Sequence, residues 1–384
     1  MSTHHIAEQL RPLLKWPGGK EKELKYILPN LPTEIENYYE PFVGGGSVYM
    51  AMKAKHYFIN DLSSELMLLY KYISTASDEF FSYATAICDA WHNATDFCTT
   101  HIALTETYES LRNGTLTESL LPHSIGQYLK ETADAVYEVL GSTVTPHKEI
   151  FLHELLNNLS RKMIRMHTLE KQRATLPYQD ICDNIEAAVK SALYMYYRSL
   201  YNDHEMMEQD HALHAALFLF IRNYCYSGMF RYNDQGLFNV PYGGIGYNAK
   251  SLSPRLKYFQ SDAVLAHFAQ TEIYNQDFEP FLRSHTHSPH DFIFLDPPYD
   301  SDFSTYAQNK FTHASHERLA KYLINDCKAQ WMLVIKHTDF IYSLYNVAGL
   351  TIRSFDKQYT VSFMNRNNRK ATHLLITNYM AQAQ

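Results

Sequence analysis

The sequence predicts an α/β protein with a doubly wound, mostly parallel sheet that is interrupted by a long helical insertion. Short apolar stretches alternate with helical patterns early in the chain and again near its C-terminal end, as in proteins with parallel sheets. From about Thr75 to Leu219, helical periodicity dominates and strand patterns are sparse. We therefore expect one discontinuous α/β domain, residues 1–74 and 260–384, and an inserted domain, residues 75–259.

Each predicted element follows from local hydrophobic periodicity and from the turn residues that bound it. The predicted strands are Asn37 to Val43, His56 to Asn60, Glu272 to Tyr274, Phe292 to Leu295, Trp331 to Lys336, Thr351 to Ser354 and His373 to Thr377. The predicted helices include Glu21 to Tyr26, Ser47 to Lys55, Ser63 to Ser74, Ile150 to Leu169 and Ile185 to Leu200. We interpret an acidic cluster as a solvated connection between helices; it comprises Asp203, Glu205, Glu208 and Asp210.

Composition and charge limit the classes of function that this protein can have. The net charge of -7 is not that of a typical nucleic-acid binder, but residues 1–30, 221–260 and 351–384 together carry +10, which leaves -17 elsewhere. These three windows are candidates for one basic face after folding. The chain has no secretory signal and no apolar stretch of membrane-spanning length, and its five scattered cysteines suggest neither a disulfide framework nor a zinc site. We therefore expect a cytoplasmic protein.

The strongest motif is Asp296-Pro297-Pro298-Tyr299, directly after the apolar run Phe292 to Leu295. Ligands of open α/β sheets bind beyond the carboxyl ends of the strands, where this motif would lie. An aspartate carboxylate and a proline carbonyl can together accept both hydrogens of an aromatic amino group, and a tyrosine can stack on the ring. The alternative is a strand-terminating turn without chemistry.

A second motif, Glu40-Pro41-Phe42-Val43-Gly44-Gly45-Gly46-Ser47, lies at another predicted strand-to-helix turn. Glycines allow close approach of the backbone to a ligand. Asp61 ends the next strand 21 residues after Glu40, a spacing typical of the acidic residue that holds ribose hydroxyls in nucleotide sites. The turn is neither a Walker loop nor the usual dinucleotide pattern, so a nicotinamide cofactor is a poor second choice.

Two further stretches have the composition of ligand contacts. Leu14-Lys15-Trp16-Pro17-Gly18-Gly19-Lys20 offers an indole that can cover an apolar or cationic ligand and a lysine that can pair with a carboxylate. The region from Arg222 to Gly243 interleaves aromatic, amide and basic residues, which can stack, contact phosphates and read base edges. Taken alone, the first stretch is more simply a turn before the predicted helix Glu21 to Tyr26, and the second is equally consistent with an ordinary aromatic loop. The histidine-rich segment Ser284 to His290 is a poor metal site, and we expect no metal.

Taken together, these four ordered motifs resemble the Dam-type family of DNA adenine methyltransferases. The match covers both ends of the chain and ends with NRNNRKATHLLITNY. The resemblance implies a seven-stranded S-adenosylmethionine-dependent methyltransferase fold, in which residues 75–259 form a largely helical target-recognition domain. It also implies methyl transfer from S-adenosylmethionine to N6 of a flipped-out adenine in double-stranded DNA.

The resemblance assigns roles to individual residues. Lys20 would face the methionine carboxylate and Asp61 the ribose. The expected catalytic residues are Asp296, Pro297, Pro298 and Tyr299. The expected cofactor-binding residues are Trp16, Lys20, Glu40, Phe42, Gly44, Gly46, Asp61, Asp277, Phe278 and Asp296. The expected DNA-binding residues are Tyr226, Ser227, Arg231, Asn239, Arg366, Arg369 and Lys370.

The sequence leaves several alternatives open. GATC-reading members of the family commonly have asparagine where this chain has Ser227, and the segment between Asp61 and Asn223 is longer than in compact members. The recognition sequence, the oligomeric state and the existence of a partner endonuclease therefore stay open, although a restriction-modification or phage protection role fits best. Rival functions are methylation of cytosine N4 or of a protein amide, and DNA binding without catalysis.

Overall fold

The protein folds into two compact units, which are described separately. The structure, a computed structural model, describes residues 10–299, 311–358 and 370–380. The described residues up to Ser74 and from Ser261 onward form unit 1, and Thr75–Gln260 form unit 2. Within the described part of the chain, no helix combines the length and apolarity needed to cross a membrane.

Unit 1 is built on a sheet of seven described strands in the order β3-β2-β1-β4-β5-β7-β6. The strands are β1 (Asn37–Glu40), β2 (His56–Asn60), β3 (Thr271–Tyr274), β4 (Phe292–Leu295), β5 (Gln330–Lys336), β6 (Thr351–Gln358) and β7 (Lys370–Thr377). The prediction of a mostly parallel sheet was wrong, because the sheet is mixed. β7 runs antiparallel to both β5 and β6, whereas the other four pairings are parallel.

The antiparallel strand has a physical reason in the length of its connection. β6 and β7 are separated by residues 359–369 alone, and a parallel crossover needs a dozen residues or more. The central strands β4 and β5, by contrast, are buried along most of their length. All four residues of β4 are buried, as are Trp331 to Ile335 in β5, because helices cover both faces of a parallel sheet.

The strand order reverses beside β1, which predicts a ligand-binding crevice there. The chain passes from β1 outward to β2 and β3, and then returns to the other side of β1 with β4. β1 and β4 are paired in parallel through Tyr38–Phe292 and Tyr39–Ile293, so their carboxyl ends emerge at the same edge. This reversal of strand order is the place where open α/β sheets bind ligands.

Helices connect the strands of unit 1 and make up most of unit 2. The first eight along the chain are α1 (Leu24–Ile27), α2 (Ser64–Ser74), α3 (Asp78–Thr100), α4 (Ala103–Arg112), α5 (Leu121–Glu131), α6 (Ala133–Glu138), α7 (Lys148–Gln172) and α8 (Tyr178–Tyr201). The others are α9 (His204–Gln209), α10 (His211–Tyr224), α11 (Ser253–Phe259), α12 (Asp262–Phe268), α13 (Phe278–Arg283), α14 (His313–Asn325) and α15 (Asp339–Tyr345). Unit 2 contains α3 to α11, and its described residues pair as strands only in two isolated bridges, Cys225–Tyr242 and Tyr232–Phe238.

Two local predictions were wrong. The expected helix from Ser47 to Lys55 is a single 3₁₀ turn, Tyr49–Ala51, because the backbone becomes extended at Met52. The acidic cluster is not a simple connection, since it contains α9. Asp203 caps α9 by accepting from Met206 N at 3.1 Å, and Asp210 caps α10 by accepting from Leu213 N at 2.8 Å.

We predict that Trp331→Ala lowers the free energy of unfolding by about 3–5 kcal/mol, the usual cost of a large cavity. Trp331 is fully buried in β5, and its Nε1 donates to Leu323 O at 3.2 Å. Urea unfolding followed by circular dichroism would measure the change. Ile324→Ala is the matched control, because Ile324 is 38% exposed and its loss should cost about 0.5 kcal/mol or less. Equal losses for both variants would contradict the assignment of Trp331 to the core.

Candidate active site

The carboxyl ends of β1 and β2 are tied together by the side chain of Asn60. Its Nδ2 donates to Pro41 O at 3.1 Å and to Gln276 O at 2.9 Å, while its Oδ1 accepts from Gln276 N at 3.0 Å. Asn60 is 1% exposed, so these bonds lie in a low-dielectric environment, where unpaired groups are costly. The loops after β1, β2 and β3 are therefore held at fixed positions around the crevice.

The glycine turn after β1 packs directly under the N-terminal segment. Gly44 has a φ of 49°, and a Cβ there would lie 2.7 Å from the indole of Trp16. A Cβ on Gly45 would lie 2.4 Å from Leu14 O, closer than any real Cβ contact. The close approach predicted for this turn therefore occurs, but its partner in this structure is the chain itself. Tyr70 completes the turn by donating to Gly44 O at 3.0 Å.

Asp61 is fixed at the end of β2 with its carboxylate at the turn. Its Oδ2 accepts from Gly44 N at 3.0 Å and its Oδ1 from Ser63 N at 3.0 Å. Burial raises the pKa of Asp61, and the backbone donors oppose that rise. Each carboxylate oxygen has a second lone pair beyond these bonds, which suits an acceptor for a pair of hydroxyl groups.

Glu40 points into the protein rather than into open solvent. It is 2% exposed, and Tyr38 donates to its Oε2 at 2.6 Å. Burial raises the pKa of Glu40 well above the usual value, and the charges of Asp296 and Asp61 raise it further. The bond from Tyr38 lowers the pKa and partly offsets these effects.

The motif after β4 forms a compact polar cluster with the N-terminal segment. Lys20, which is 2% exposed, forms an ion pair with Asp296 Oδ2 and donates to Gly18 O at 2.8 Å. Its Nζ also lies 3.2 Å from Tyr299 Oη. These bonds join residues that are 276 and 279 positions apart in the sequence. His373 on β7, which the sequence analysis did not single out, lies 3.3 Å from the same tyrosine oxygen through Nε2.

Three of the expected cofactor-binding residues, Phe42, Asp277 and Phe278, lie in or beside an aromatic cluster. The rings of Phe42 and Phe278 are 5.6 Å apart, and both rings pack on Phe311. The side chain of Asp277 caps α13 and accepts two bonds from Arg318 Nη2, at 3.0 and 2.9 Å. The sequence analysis missed Arg318, because nothing in the local pattern of α14 distinguishes it from other surface cations.

The candidate DNA-contact residues of unit 2 lie on a loop after α10. Tyr226 is 47% exposed and Ser227 has a φ of 54°, a strained conformation for a side-chain-bearing residue. Arg231 is exposed, and its Nε donates to Asn239 Oδ1 at 3.0 Å across the Tyr232–Phe238 bridge. The structure therefore brings these two predicted residues together.

The buried Arg222 and the half-buried Asn202 anchor the backbone of this loop. Arg222 is 4% exposed and donates to Gly228 O and Met229 O at 3.2 and 3.3 Å. Asn202 exchanges two bonds with the backbone of Phe238, at 2.8 and 3.0 Å. Burial raises the pKa of Cys225, as for a structural thiol rather than a nucleophile.

Comparison with known proteins identifies the family. The family model described as D12 class N6 adenine-specific DNA methyltransferase matches residues 16–121 and 152–361. The chain belongs to this family. It is therefore an adenine-N6 DNA methyltransferase, and methyltransferases of this kind use S-adenosylmethionine and act on DNA.

Individual relatives are similar over most of the chain. The type II methyltransferase M.CviBI of Paramecium bursaria Chlorella virus NC1A is 23% identical over 96% of this chain and 100% of its own length. M.MjaIII of Methanocaldococcus jannaschii is 24% identical over 97% and 100%. The DNA adenine methylase of Escherichia coli K12 is 24% identical over 81% of this chain and 74% of its own. The family resemblance expected from the four motifs is confirmed.

Some of the predicted residues cannot be placed in this D12 methyltransferase. Arg366 and Arg369 lie outside the described residues, as does the side chain of Lys370, so their expected DNA contacts stay predictions. The histidine-rich segment from Ser284 to His290 is a loop, and two of its histidines pack on the sheet. His285 and His287 both contact the ring of Tyr39 edge-on, at 5.2 and 4.6 Å.

We predict that Glu40→Gln makes stability less dependent on pH. A carboxyl whose pKa is raised by folding binds more protons in the folded state. The wild-type free energy of unfolding therefore falls as pH rises above the ordinary value of 4.5, up to the raised folded value. The amide of glutamine does not titrate in this pH range, so the variant lacks this contribution to the pH dependence. Melting temperatures from pH 4 to 8 should show a wild-type curve that declines relative to the variant, and parallel curves would contradict the shift.

Proposed function

We propose that this methyltransferase modifies N6 of an adenine that is extruded from double-stranded DNA at a specific sequence. The observation that supports this most directly is the Asp296–Lys20–Tyr299 cluster beside the reversal of strand order. A target base in a duplex is inaccessible, and extrusion costs a few kcal/mol, so an enzyme of this class needs a pocket to receive the base. Asp296-Pro297-Pro298-Tyr299 has the groups for such a pocket.

The donor set of unit 1 fits S-adenosylmethionine. Asp61 offers carboxylate oxygens to a ribose diol, while Lys20 offers a cation to the methionine carboxylate. Trp16 lies against Gly44 with its ring partly exposed, which suits contact with a positively charged sulfur. Phe42 and Phe278 offer aromatic faces to an adenine ring. When bound, S-adenosylmethionine supplies a methyl group on a sulfonium, so no metal or nucleophilic residue is required of the protein.

The protein's contribution to the reaction is orientation. The Asp296 carboxylate and the Pro297 carbonyl accept the two hydrogens of the adenine amino group, which directs the nitrogen lone pair out of the hydrogen-bonding plane. Asp296 is 18% exposed, so its charge acts in a partly desolvated environment. Tyr299 stacks on the extruded base, and such stacking contributes about 1–3 kcal/mol in other nucleic-acid sites.

Unit 2 supplies target recognition in this proposal. Its loop from Tyr226 to Asn239 presents an aromatic ring, a hydroxyl and a guanidinium on a backbone that is held by the side chains of Arg222 and Asn202. A guanidinium is suited to bidentate recognition of guanine in the major groove. The relatives named type II methyltransferases favour a restriction-modification role, with a cognate endonuclease as partner.

The decisive experiment is to express the chain in cells without adenine methylation and to map modified bases by direct DNA sequencing. Wild-type protein should give N6-methyladenine in one short motif. Asp296→Ala should lower the transfer rate by at least about 100-fold, because it removes an acceptor of the amino group.

The control for that variant is Asp339→Ala, in which an exposed carboxylate at the start of α15 is lost. It should methylate DNA at the wild-type rate. Near wild-type transfer by Asp296→Ala would refute the catalytic assignment. Cofactor binding by folded wild-type protein without any modified adenine would favour methylation of cytosine or protein amide, or an inactive relative.

We predict that Arg231→Gln weakens binding to the mapped target by about 5- to 150-fold, which corresponds to the loss of one bidentate base contact. The effect should be smaller on a duplex that lacks the motif. Fluorescence anisotropy at fixed salt would measure both affinities. Lys130→Gln, which neutralises an exposed cation of α5 in the same unit, is the matched control. An equal loss on both duplexes would reassign Arg231 to a phosphate contact.

A further inference from the structure

A fully buried histidine lies behind the tyrosine of the catalytic motif. His373 is 0% exposed on β7, where it pairs with Lys336 of β5 and Phe355 of β6. Its Nε2 lies 3.3 Å from Tyr299 Oη, and the two rings meet edge-on with centroids 5.5 Å apart. A polar ring in the interior costs free energy unless it is paired, so this position calls for a specific role.

The hydroxyl of Tyr299 can serve two partners at once. Lys20 Nζ has hydrogens to donate and no lone pair, so Tyr299 Oη accepts from it at 3.2 Å. The hydroxyl keeps a hydrogen and a second lone pair, so it can bond His373 Nε2 in either tautomer of the ring. Tyr299 is consequently held at its hydroxyl from two sides.

The histidine is itself braced by an aromatic row. The rings of Phe355 and His373 have centroids 5.7 Å apart, and Phe355 stacks on Tyr26 of α1 at 4.6 Å. A displacement of His373 is therefore opposed by Phe355 of β6, which is itself packed against Tyr26.

We propose that His373 is a positioning residue for methyl transfer, which acts by fixing the plane of the Tyr299 ring against which the target adenine stacks. The inference rests on the proposed function of Tyr299 and adds a residue from the antiparallel strand to the site. A fixed ring lowers the entropy lost when the base is held for reaction, so the histidine affects turnover more than cofactor binding.

The test is a double-mutant cycle that joins His373→Phe and Tyr299→Phe. His373→Phe keeps a ring and removes the polar partner of the hydroxyl, and it should lower kcat about tenfold while the Kd for S-adenosylmethionine changes less than about twofold. In the Tyr299→Phe background the same change should alter kcat less than about twofold, because the hydroxyl is already absent. His373→Gln retains both a donor and an acceptor and should restore kcat to within about threefold of wild type.

His287→Phe is the matched control, since it also replaces a buried histidine of unit 1 beside an aromatic ring. It should leave kcat unchanged, and thermal denaturation shows whether each variant is folded. Unchanged kcat in His373→Phe, or the same tenfold loss in both tyrosine backgrounds, would overturn the inference. Loss of kcat in His373→Gln equal to that in His373→Phe would do so as well. Absence of transfer by wild-type protein would instead overturn the proposed function, and this inference with it.

Discussion

The parallel pairing of β1 with β4 is the constraint on which the rest of the site depends. It joins strands that are more than 250 residues apart. It also places the glycine turn, which follows β1, beside Asp296, which follows β4. Because both strands point the same way, the residues that follow them meet at one edge of the sheet. The pairing of β2 with β1 then adds Asp61 to the same edge.

At that edge the buried cation of Lys20 lies among several carboxyl groups. Asp296 pairs with Lys20, whereas burial and the neighbouring charges of Asp296 and Asp61 raise the pKa of Glu40. A buried ion pair seldom adds net stability, because desolvation offsets the attraction between the charges. The retention of this pair is better explained by orientation, since Lys20 also reaches Tyr299 and so links two residues of one motif.

The two units position their functional polar side chains in different ways. In unit 1 the ends of strands hold the functional side chains. In unit 2 a loop is held by side chains from the helices, with Arg222 of α10 and Asn202 after α8 bonded to its backbone. Such anchoring reduces the conformational freedom that a recognition loop would lose on binding, and it gives the buried Arg222 a structural role.

The sequence by itself determined the strand bounds of β2 and β4, the ordered motifs and hence the family, because apolar runs and turn residues are local signals. It failed for the Ser47 to Lys55 segment and for the antiparallel direction of β7, where the outcome depends on backbone contacts and on strand pairing at a distance. Only the tertiary structure decided that Lys20 meets Asp296 and that His373 and Arg318 join the candidate site. Such contacts connect residues far apart in the chain, and no local periodicity encodes them.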